Sequence, residues 1–202
     1  MSNIVSAVIG YLLGCLSPAA FLGRKHKLDL RQEGTGNLGA TNTTIVLGKK
    51  AGIFVMVFDI AKAYIASRIA KWLFPKQYYA GLLAGCAAVV GHVHPVHMKF
   101  KGGKGLASFA GMVLAYDPLI FLLLLAVGLV TMAIVNYGVA MPLTGALLFP
   151  LVAGVGSMDV AVFTITAAAS AVVIIAHWPN IGKAMRHEHQ SVREFIRENL
   201  AK

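Results

Sequence analysis

The chain has 202 residues, of which 57% are hydrophobic and only 13% are charged. Soluble domains carry about 25% charged residues, so this composition excludes an ordinary soluble domain and indicates an integral membrane protein. The net charge of +10 is typical of basic loops beside a membrane. It does not favour nucleic-acid binding, because no soluble basic domain is present to carry that function.

Seven apolar segments are candidates for membrane-spanning helices. A span needs about 20 apolar residues, and the segments lie at about 4–23, 51–70, 79–96, 105–116, 118–135, 139–156 and 160–177. The fourth is short, and it is either a half-span or a helix packed inside the protein. The apolar runs are continuous rather than alternating, which argues against a transmembrane β-barrel. We therefore predict an all-α integral membrane protein with seven transmembrane helices, one of them short, in a single domain over residues 1–202.

Lys and Arg residues are distributed unevenly between the two sides of these spans. One side receives segments 24–50, 97–104 and the C-terminal segment through Lys202, which together hold most of the basic residues. The other side receives only Lys71 and Lys76. Because cytoplasmic loops are enriched in Lys and Arg, the N-terminus is predicted to be external and the C-terminus cytoplasmic.

The first cytoplasmic segment contains an uncharged run of nine residues rich in glycine, Thr and Asn. It reads Gly34-Thr35-Gly36-Asn37-Leu38-Gly39-Ala40-Thr41-Asn42. Glycines allow backbone N–H groups to turn toward a ligand, and consecutive amides form anion-binding hollows. This pattern predicts a phosphate-binding loop.

The second span contains an acidic and a basic residue, Asp59 and Lys62. Their i,i+3 spacing places both on one helix face. Ionisable residues inside a membrane are costly and often functional, but we predict a structural ion pair here that supports the glycine loop from behind.

Two further polar segments follow on the cytoplasmic side of the third and fourth spans. In Gly91-His92-Val93-His94-Pro95-Val96-His97, Pro95 interrupts the spacing of the histidines and no carboxylate or Cys lies nearby, so we predict no metal site. The next run, Phe100-Lys101-Gly102-Gly103-Lys104-Gly105, leads into the fourth span. It is either a basic loop that contacts lipid headgroups or a phosphate site formed by backbone N–H groups and an ammonium. Its glycines favour the phosphate site.

The last candidate segment, His177-Trp178-Pro179-Asn180, is predicted to form the cytoplasmic exit of the seventh span. His177 and Asn180 are candidates for orienting or deprotonating a hydroxyl group. The alternative is an ordinary helix end with an interfacial Trp.

These segments together resemble the membrane-embedded, acyl-phosphate-dependent glycerol-3-phosphate acyltransferases of bacteria. The resemblance runs in order along the chain. It covers 28–31 (Leu-Asp-Leu-Arg), 34–42, 47–50 (Leu-Gly-Lys-Lys), Asp59 with Lys62, Gly91-His92, Pro95-Val96, 100–105, and His177 with Asn180-Ile181.

The resemblance implies a multi-pass enzyme of the bacterial inner membrane with a cytoplasmic active site. The implied reaction transfers a fatty acyl group from acyl phosphate to the 1-hydroxyl of sn-glycerol 3-phosphate, and it needs neither metal nor CoA. Membrane lipids are implied as surroundings, and nucleic acid is not a partner. Lys104, His177, Asn180 and Thr35 are the implied catalytic residues. The implied phosphate-binding residues are Gly34, Gly36, Asn37, Gly39, Thr41, Asn42, Gly102 and Gly103.

The sequence departs from the family pattern at positions that concern the acyl acceptor. Thr35 replaces the usual Ser and keeps a hydroxyl, whereas Ile45 stands where the family commonly has Arg, the natural bidentate partner of phosphate. The segment 136–142 and Trp178-Pro179 also lack the basic residues usual there. Two alternatives therefore stay open: a relative that acylates a different acceptor, and a non-catalytic protein that binds or transports anionic lipid or phosphate.

Overall fold

The computed structural model describes residues 1–186, 188 and 191–199, and over these residues every regular element is helical. Lys202, one of the basic residues assigned to the C-terminal segment, lies outside the described residues. The helices are α1 (Ser2–Gly14), α2 (Pro18–Lys25), α3 (Ala40–Leu47), α4 (Lys49–Leu73), α5 (Ala80–Val93), α6 (Leu106–Tyr116), α7 (Pro118–Val135), α8 (Ala140–Ser157), α9 (Val160–Met185) and α10 (Val192–Asn199). A short 3₁₀ turn, Val96–Met98, follows α5. The chain packs as two compact units, Met1–Tyr116 and Asp117–Lys202.

The first predicted span is broken between α1 and α2. Ser17 is the N-cap of α2 and its hydroxyl accepts a hydrogen bond from the N–H of Ala20 at 3.2 Å. Pro18 follows at the first helical position, where its missing N–H is tolerated. This cap interrupts the helical hydrogen bonds just before α2 and leaves the carbonyl of Leu16 available to another partner.

Helices of the first unit approach one another through small residues. A side chain on Gly10 or Gly14 of α1 would overlap the backbone of Ala84 or Ala88 in α5, and one on Gly111 of α6 would overlap the Ile60 carbonyl of α4. Such close backbone contact is how membrane helices gain packing energy without a hydrophobic driving force. It holds α4, α5 and α6 firmly enough to carry polar groups at defined positions.

Five helical segments within the described part of the chain are long and apolar enough to cross a membrane. They are Ser2–Lys25, Ala80–Met98, Pro118–Val135, Ala140–Ser157 and Val160–Met185. Helix α4 has 25 residues, enough to span, but Asp59, Lys62 and Arg68 interrupt its apolar stretch. Helix α6 has only 11 residues, in agreement with the expectation of a short fourth element.

The second unit contains α7 to α10, and two of its helices begin at aspartate caps. Asp117 accepts hydrogen bonds from the N–H groups of Leu119 and Ile120, and Asp159 caps α9 in the same manner. Helix α9 continues to Met185, so the prediction that it ends near 177 is wrong. Pro179 lies within it, because an internal proline is tolerated where neighbouring groups compensate for one lost hydrogen bond.

Candidate active site

The glycine loop is held in place by the buried amide of Asn42. Its Oδ1 accepts a hydrogen bond from the N–H of Thr35 at 2.6 Å, and its Nδ2 donates to the carbonyl of Leu30 at 2.8 Å. Gly34 and Gly36 have φ angles of +57° and +72°, a conformation that favours glycine. Asn42 is fully buried, so it shapes the loop and is not positioned to contact a ligand, contrary to the sequence expectation.

The same loop leads directly into the N-terminus of α3. Gly39 is the N-cap, and its carbonyl accepts the first helical hydrogen bond, from Thr43. The amide side chain of Asn37 lies beside Gly39, and Thr35 and Thr41 are exposed. Helix N-termini bind anions because their first N–H groups lack intrahelical partners, so this corner has the chemistry of a phosphate site.

An ion pair precedes the loop. The Arg31 guanidinium donates two hydrogen bonds to Asp29, at 3.0 Å from Nε and 2.8 Å from Nη2. These hydrogen bonds hold the pKa of the Asp29 carboxyl below its usual range. The pair therefore stays ionised near neutral pH and fixes the chain just before the glycine loop.

The glycine–lysine loop folds back beneath the end of α5. This helix ends at Val93 because Pro95 cannot continue it and the residue before a proline disfavours the helical region. The carbonyls of His92 and Val93 accept instead from the N–H groups of Gly103 at 3.1 Å and Gly102 at 3.0 Å. Those two N–H groups are therefore occupied, and the expectation that they donate to a phosphate does not fit this geometry.

Both glycine segments meet at Gly103. A side chain there would lie 2.6 Å from the Leu38 carbonyl and would overlap the His92 imidazole. Lys104 follows, half-buried, and α6 begins at Leu106. Lys104 and the start of α6 therefore follow directly from the point where the two loops meet.

A cavity of about 380 Å³ opens beside these loops in the first unit. Its floor includes Leu38 and Met98, and its basic lining residues are Arg24, Arg31, His97, Lys99 and Lys101. Asp29, which pairs with Arg31, is the acidic lining residue. Grouped around a concave surface, the basic residues produce a positive potential that attracts anionic substrates.

Behind the loops lies a buried polar cluster. Lys62 Nζ lies 2.7 Å from Asp59 Oδ1, and the imidazole of His92 joins them, with Nδ1 2.9 Å from Lys62 Nζ. The sequence pattern gave no sign that His92 contacts Lys62. His94 and His97 are exposed, and among the described residues no group of three His, Cys, Asp or Glu side chains is arranged to hold a metal.

His177 and Asn180 lie in the second unit, one turn apart on α9. His177 is buried, and its Nδ1 donates to the Val173 carbonyl at 2.8 Å. A backbone carbonyl only accepts, so the neutral imidazole carries its proton on Nδ1 and its lone pair on Nε2. The i,i+3 spacing places the half-buried Asn180 beside it.

Comparisons with known proteins place this site in a family. The sequence model described as glycerol-3-phosphate acyltransferase matches residues 4–187. The chain belongs to the glycerol-3-phosphate acyltransferase family. It is therefore an acyltransferase and, with its apolar helices, a multi-pass membrane protein of phospholipid biosynthesis.

Relatives support the assignment over nearly the whole chain. The glycerol-3-phosphate acyltransferase of Thermoanaerobacter pseudethanolicus is 35% identical over 186 residues, covering 92% of this chain and 93% of that protein. Two crystal structures of PlsY (YgiH), an integral membrane glycerol 3-phosphate acyltransferase, have similar folds. Its glycerol 3-phosphate form has a TM-score of 0.87, 31% identity and coverage of 95% and 96% of the two chains. Its lysophosphatidic acid form has a TM-score of 0.86, 30% identity and coverage of 98% and 100%.

Proposed function

We propose that this protein transfers a fatty acyl group from acyl phosphate to the 1-hydroxyl of sn-glycerol 3-phosphate. The products are 1-acylglycerol 3-phosphate (lysophosphatidic acid) and inorganic phosphate. The observation that carries the proposal is the close approach of the Gly34–Asn42 loop to Gly103, directly before Lys104, beside a basic cavity in a chain of the glycerol-3-phosphate acyltransferase family. The relatives' names specify the acceptor, and the acyl phosphate is the donor implied by the resemblance described above.

The glycine loop and Lys104 act on the leaving group. Attack on the acyl carbonyl breaks the bond between the carbonyl carbon and a phosphate oxygen, and phosphate leaves with increased negative charge. The N-terminal N–H groups of α3, the Thr35 hydroxyl and the Lys104 ammonium stabilise that charge without moving. An acyl phosphate is already activated, so the reaction requires no nucleophile from the protein.

His177 and Asn180 act on the acceptor. The Nε2 lone pair of His177 is suited to accept a hydrogen bond from the attacking hydroxyl, and Asn180 offers an amide one helical turn away. The hydroxyl proton passes either to this imidazole or to the departing phosphate, which is a strong enough base to keep it. Positioning then contributes most of the rate, because holding two reactants in a reactive geometry makes the step effectively unimolecular.

The proposal extends to the arrangement in the membrane. Helices α4 and α6 complete seven membrane-embedded elements, and α4 buries Asp59 and Lys62 against its neighbours while Arg68 is exposed. The N-terminus lies outside and the active site faces the cytoplasm of a bacterial inner membrane, because the basic segments gather on that side. Lipid surrounds the bundle, and the acyl chain lies among its helices.

The test is direct acyl transfer by the protein purified in detergent. Acyl phosphate and glycerol 3-phosphate are supplied together, and lysophosphatidic acid and released phosphate are both measured. Equal amounts of the two products are expected. Release of phosphate only with another acceptor would favour the relative with altered specificity. Binding of phosphate without any transfer would favour the non-catalytic alternative.

Replacement of Ile45 by arginine is expected to strengthen acceptor binding. Ile45 lies half-buried on α3, behind the anion-binding N-terminus of that helix. An arginine there adds a bidentate phosphate partner, so the KM for glycerol 3-phosphate should fall about tenfold, the effect of one charge-assisted hydrogen bond. Steady-state kinetics measure this, with Ile45→Gln as a neutral control of similar length. An unchanged KM in Ile45→Arg would show that the acceptor is bound elsewhere.

A further inference from the structure

Burying the cluster formed by Asp59, Lys62 and His92 costs desolvation free energy that packing alone does not offset. The three residues are only 2%, 5% and 8% exposed, and they lie within the helices of the first unit. Removing a carboxylate and an ammonium from water costs several kcal/mol per ion even after relaxation. Hydrophobic residues of similar size would pack the same space, so a specific role for the polar groups is indicated.

The ammonium of Lys62 organises the cluster. It lies 2.7 Å from Asp59 Oδ1, 2.7 Å from the Leu16 carbonyl and 2.9 Å from His92 Nδ1. The Leu16 carbonyl is available only because the Ser17 cap breaks the first span there. An ammonium has three donors and no acceptor, so these three groups match its capacity. They fix its position from α4, from α5 and from the connection between α1 and α2.

The His92 ring lies against both members of the ion pair. Its Nδ1 lies 2.9 Å from Lys62 Nζ, which only donates, and 3.3 Å from Asp59 Oδ1, which only accepts, so one ring nitrogen is held by both charged groups. Nε2 in turn lies where a side chain on Gly103 would be. The ring therefore connects the buried ammonium to the backbone of the glycine–lysine loop.

The backbone of His92 also contacts the glycine–lysine loop. Its carbonyl accepts from the N–H of Gly103 at 3.1 Å, and the next carbonyl, of Val93, accepts from Gly102 at 3.0 Å. Lys104 comes directly after these two glycines. The position of the Lys104 backbone is thus set by the same residue whose side chain is fixed by Lys62.

We infer that Asp59, Lys62 and His92 form a positioning device that places the Gly102–Lys104 loop against the substrate phosphate, with His92 as the positioning residue. This inference rests on the proposed function, in which Lys104 contacts a phosphate group. The cluster itself does not touch substrate. It determines where the ammonium of Lys104 stands relative to the glycine loop.

The experiment compares His92→Leu, His92→Asn and a control, Ser108→Ala, each purified in detergent. Ser108 donates a buried hydrogen bond to the Asp59 carbonyl at 3.2 Å, so its removal loosens α4 against α6 without reaching the loop. Leucine keeps the bulk of the ring but not the acceptor for Lys62. Asparagine places an amide oxygen close to the position of Nδ1 and restores that acceptor.

For His92→Leu, we expect the KM for at least one of the two phosphorylated substrates to rise about tenfold, as expected for losing one hydrogen bond to a charged group. The kcat of the folded fraction should fall as well, because Lys104 stabilises the leaving group, and His92→Asn should recover most of both parameters. Ser108→Ala should lower the melting temperature with both KM values unchanged. Equal KM values in wild type and His92→Leu, or a parallel loss in Ser108→Ala, would overturn the inference.

A binding measurement separates this inference from the proposed function. Glycerol 3-phosphate and inorganic phosphate are titrated separately, and the rise in melting temperature is recorded for the wild type and the His92 variants. Absence of acyl transfer by the wild type would refute the proposed reaction alone. If both ligands raise the melting temperature of His92→Leu as much as that of the wild type, the positioning role is refuted, whatever the wild type catalyses.

Discussion

Replacing Lys104 by alanine is expected to lower kcat/KM for acyl transfer by about 10² to 10³, the effect of removing one preorganised group from a developing negative charge. Lys104 is half-buried and directly follows Gly103, whose backbone lies against the glycine loop, so water screens its charge less than that of a surface lysine. Phosphate carries more charge as a leaving group than as part of the acyl phosphate. The loss should therefore appear in kcat as well as in KM.

Two further variants serve as controls for Lys104→Ala, one that keeps the positive charge and one that removes a distant charge. Lys104→Arg keeps the charge and should retain more activity than Lys104→Ala, although its planar head group does not reproduce the geometry of an ammonium. Lys76→Ala removes an exposed positive charge far along the chain from both loops and should leave the kinetics unchanged. Phosphate release and product formation are measured together. Wild-type kcat/KM in Lys104→Ala would remove this residue from the phosphate site.

The sequence predicted the backbone of the glycine loop better than its contacts. Gly34 and Gly36 adopt positive φ angles, as their residue type favours, whereas α3 was not predicted within the segment 24–50. The contacts of the individual loop residues, in contrast, depend on how the whole turn folds. Asn42 was expected to bind phosphate, but its amide instead bridges Thr35 and Leu30, a contact that exists only once the turn has folded.

The glycine–lysine loop shows the same limit. Its glycines indicated backbone donors, and Pro95 indicated the end of a helix, but neither pattern reveals that the loop turns back to satisfy that helix end. The N–H groups of Gly102 and Gly103 are used there. His92 was likewise missed, because its contact with Lys62 depends on how α4 and α5 are rotated against each other.

The long helix α9 marks a different kind of error. The motif His177-Trp178-Pro179-Asn180 suggested a helix end, since a proline usually terminates a helix in water. In this membrane protein the helix continues to Met185. The consequence for the site is favourable, because a continuous helix holds His177 and Asn180 one turn apart more rigidly than a loop would.

Replacing Gly103 by alanine is expected to reduce activity about 10²-fold, the effect of misplacing a catalytic group by about 1 Å. The added methyl group would lie 2.6 Å from the Leu38 carbonyl and would overlap the His92 ring. The carbonyl belongs to the backbone of the other loop and cannot rotate away. The glycine–lysine loop must therefore move, and Lys104 moves with it, while the helices that carry the loop keep their own contacts.

The control for Gly103 is Gly138→Ala, because no atom lies within 4 Å of a methyl group added at that glycine. Gly138→Ala should retain wild-type kcat/KM, and both variants should purify as folded protein with similar melting temperatures. The comparison distinguishes a displaced loop from a general effect of losing a glycine. Full activity in Gly103→Ala would mean that the two loops can move apart without loss of catalysis. That result would contradict a phosphate site shared at their junction. Low activity with an intact fold would instead show that catalysis depends on how closely the two backbones approach.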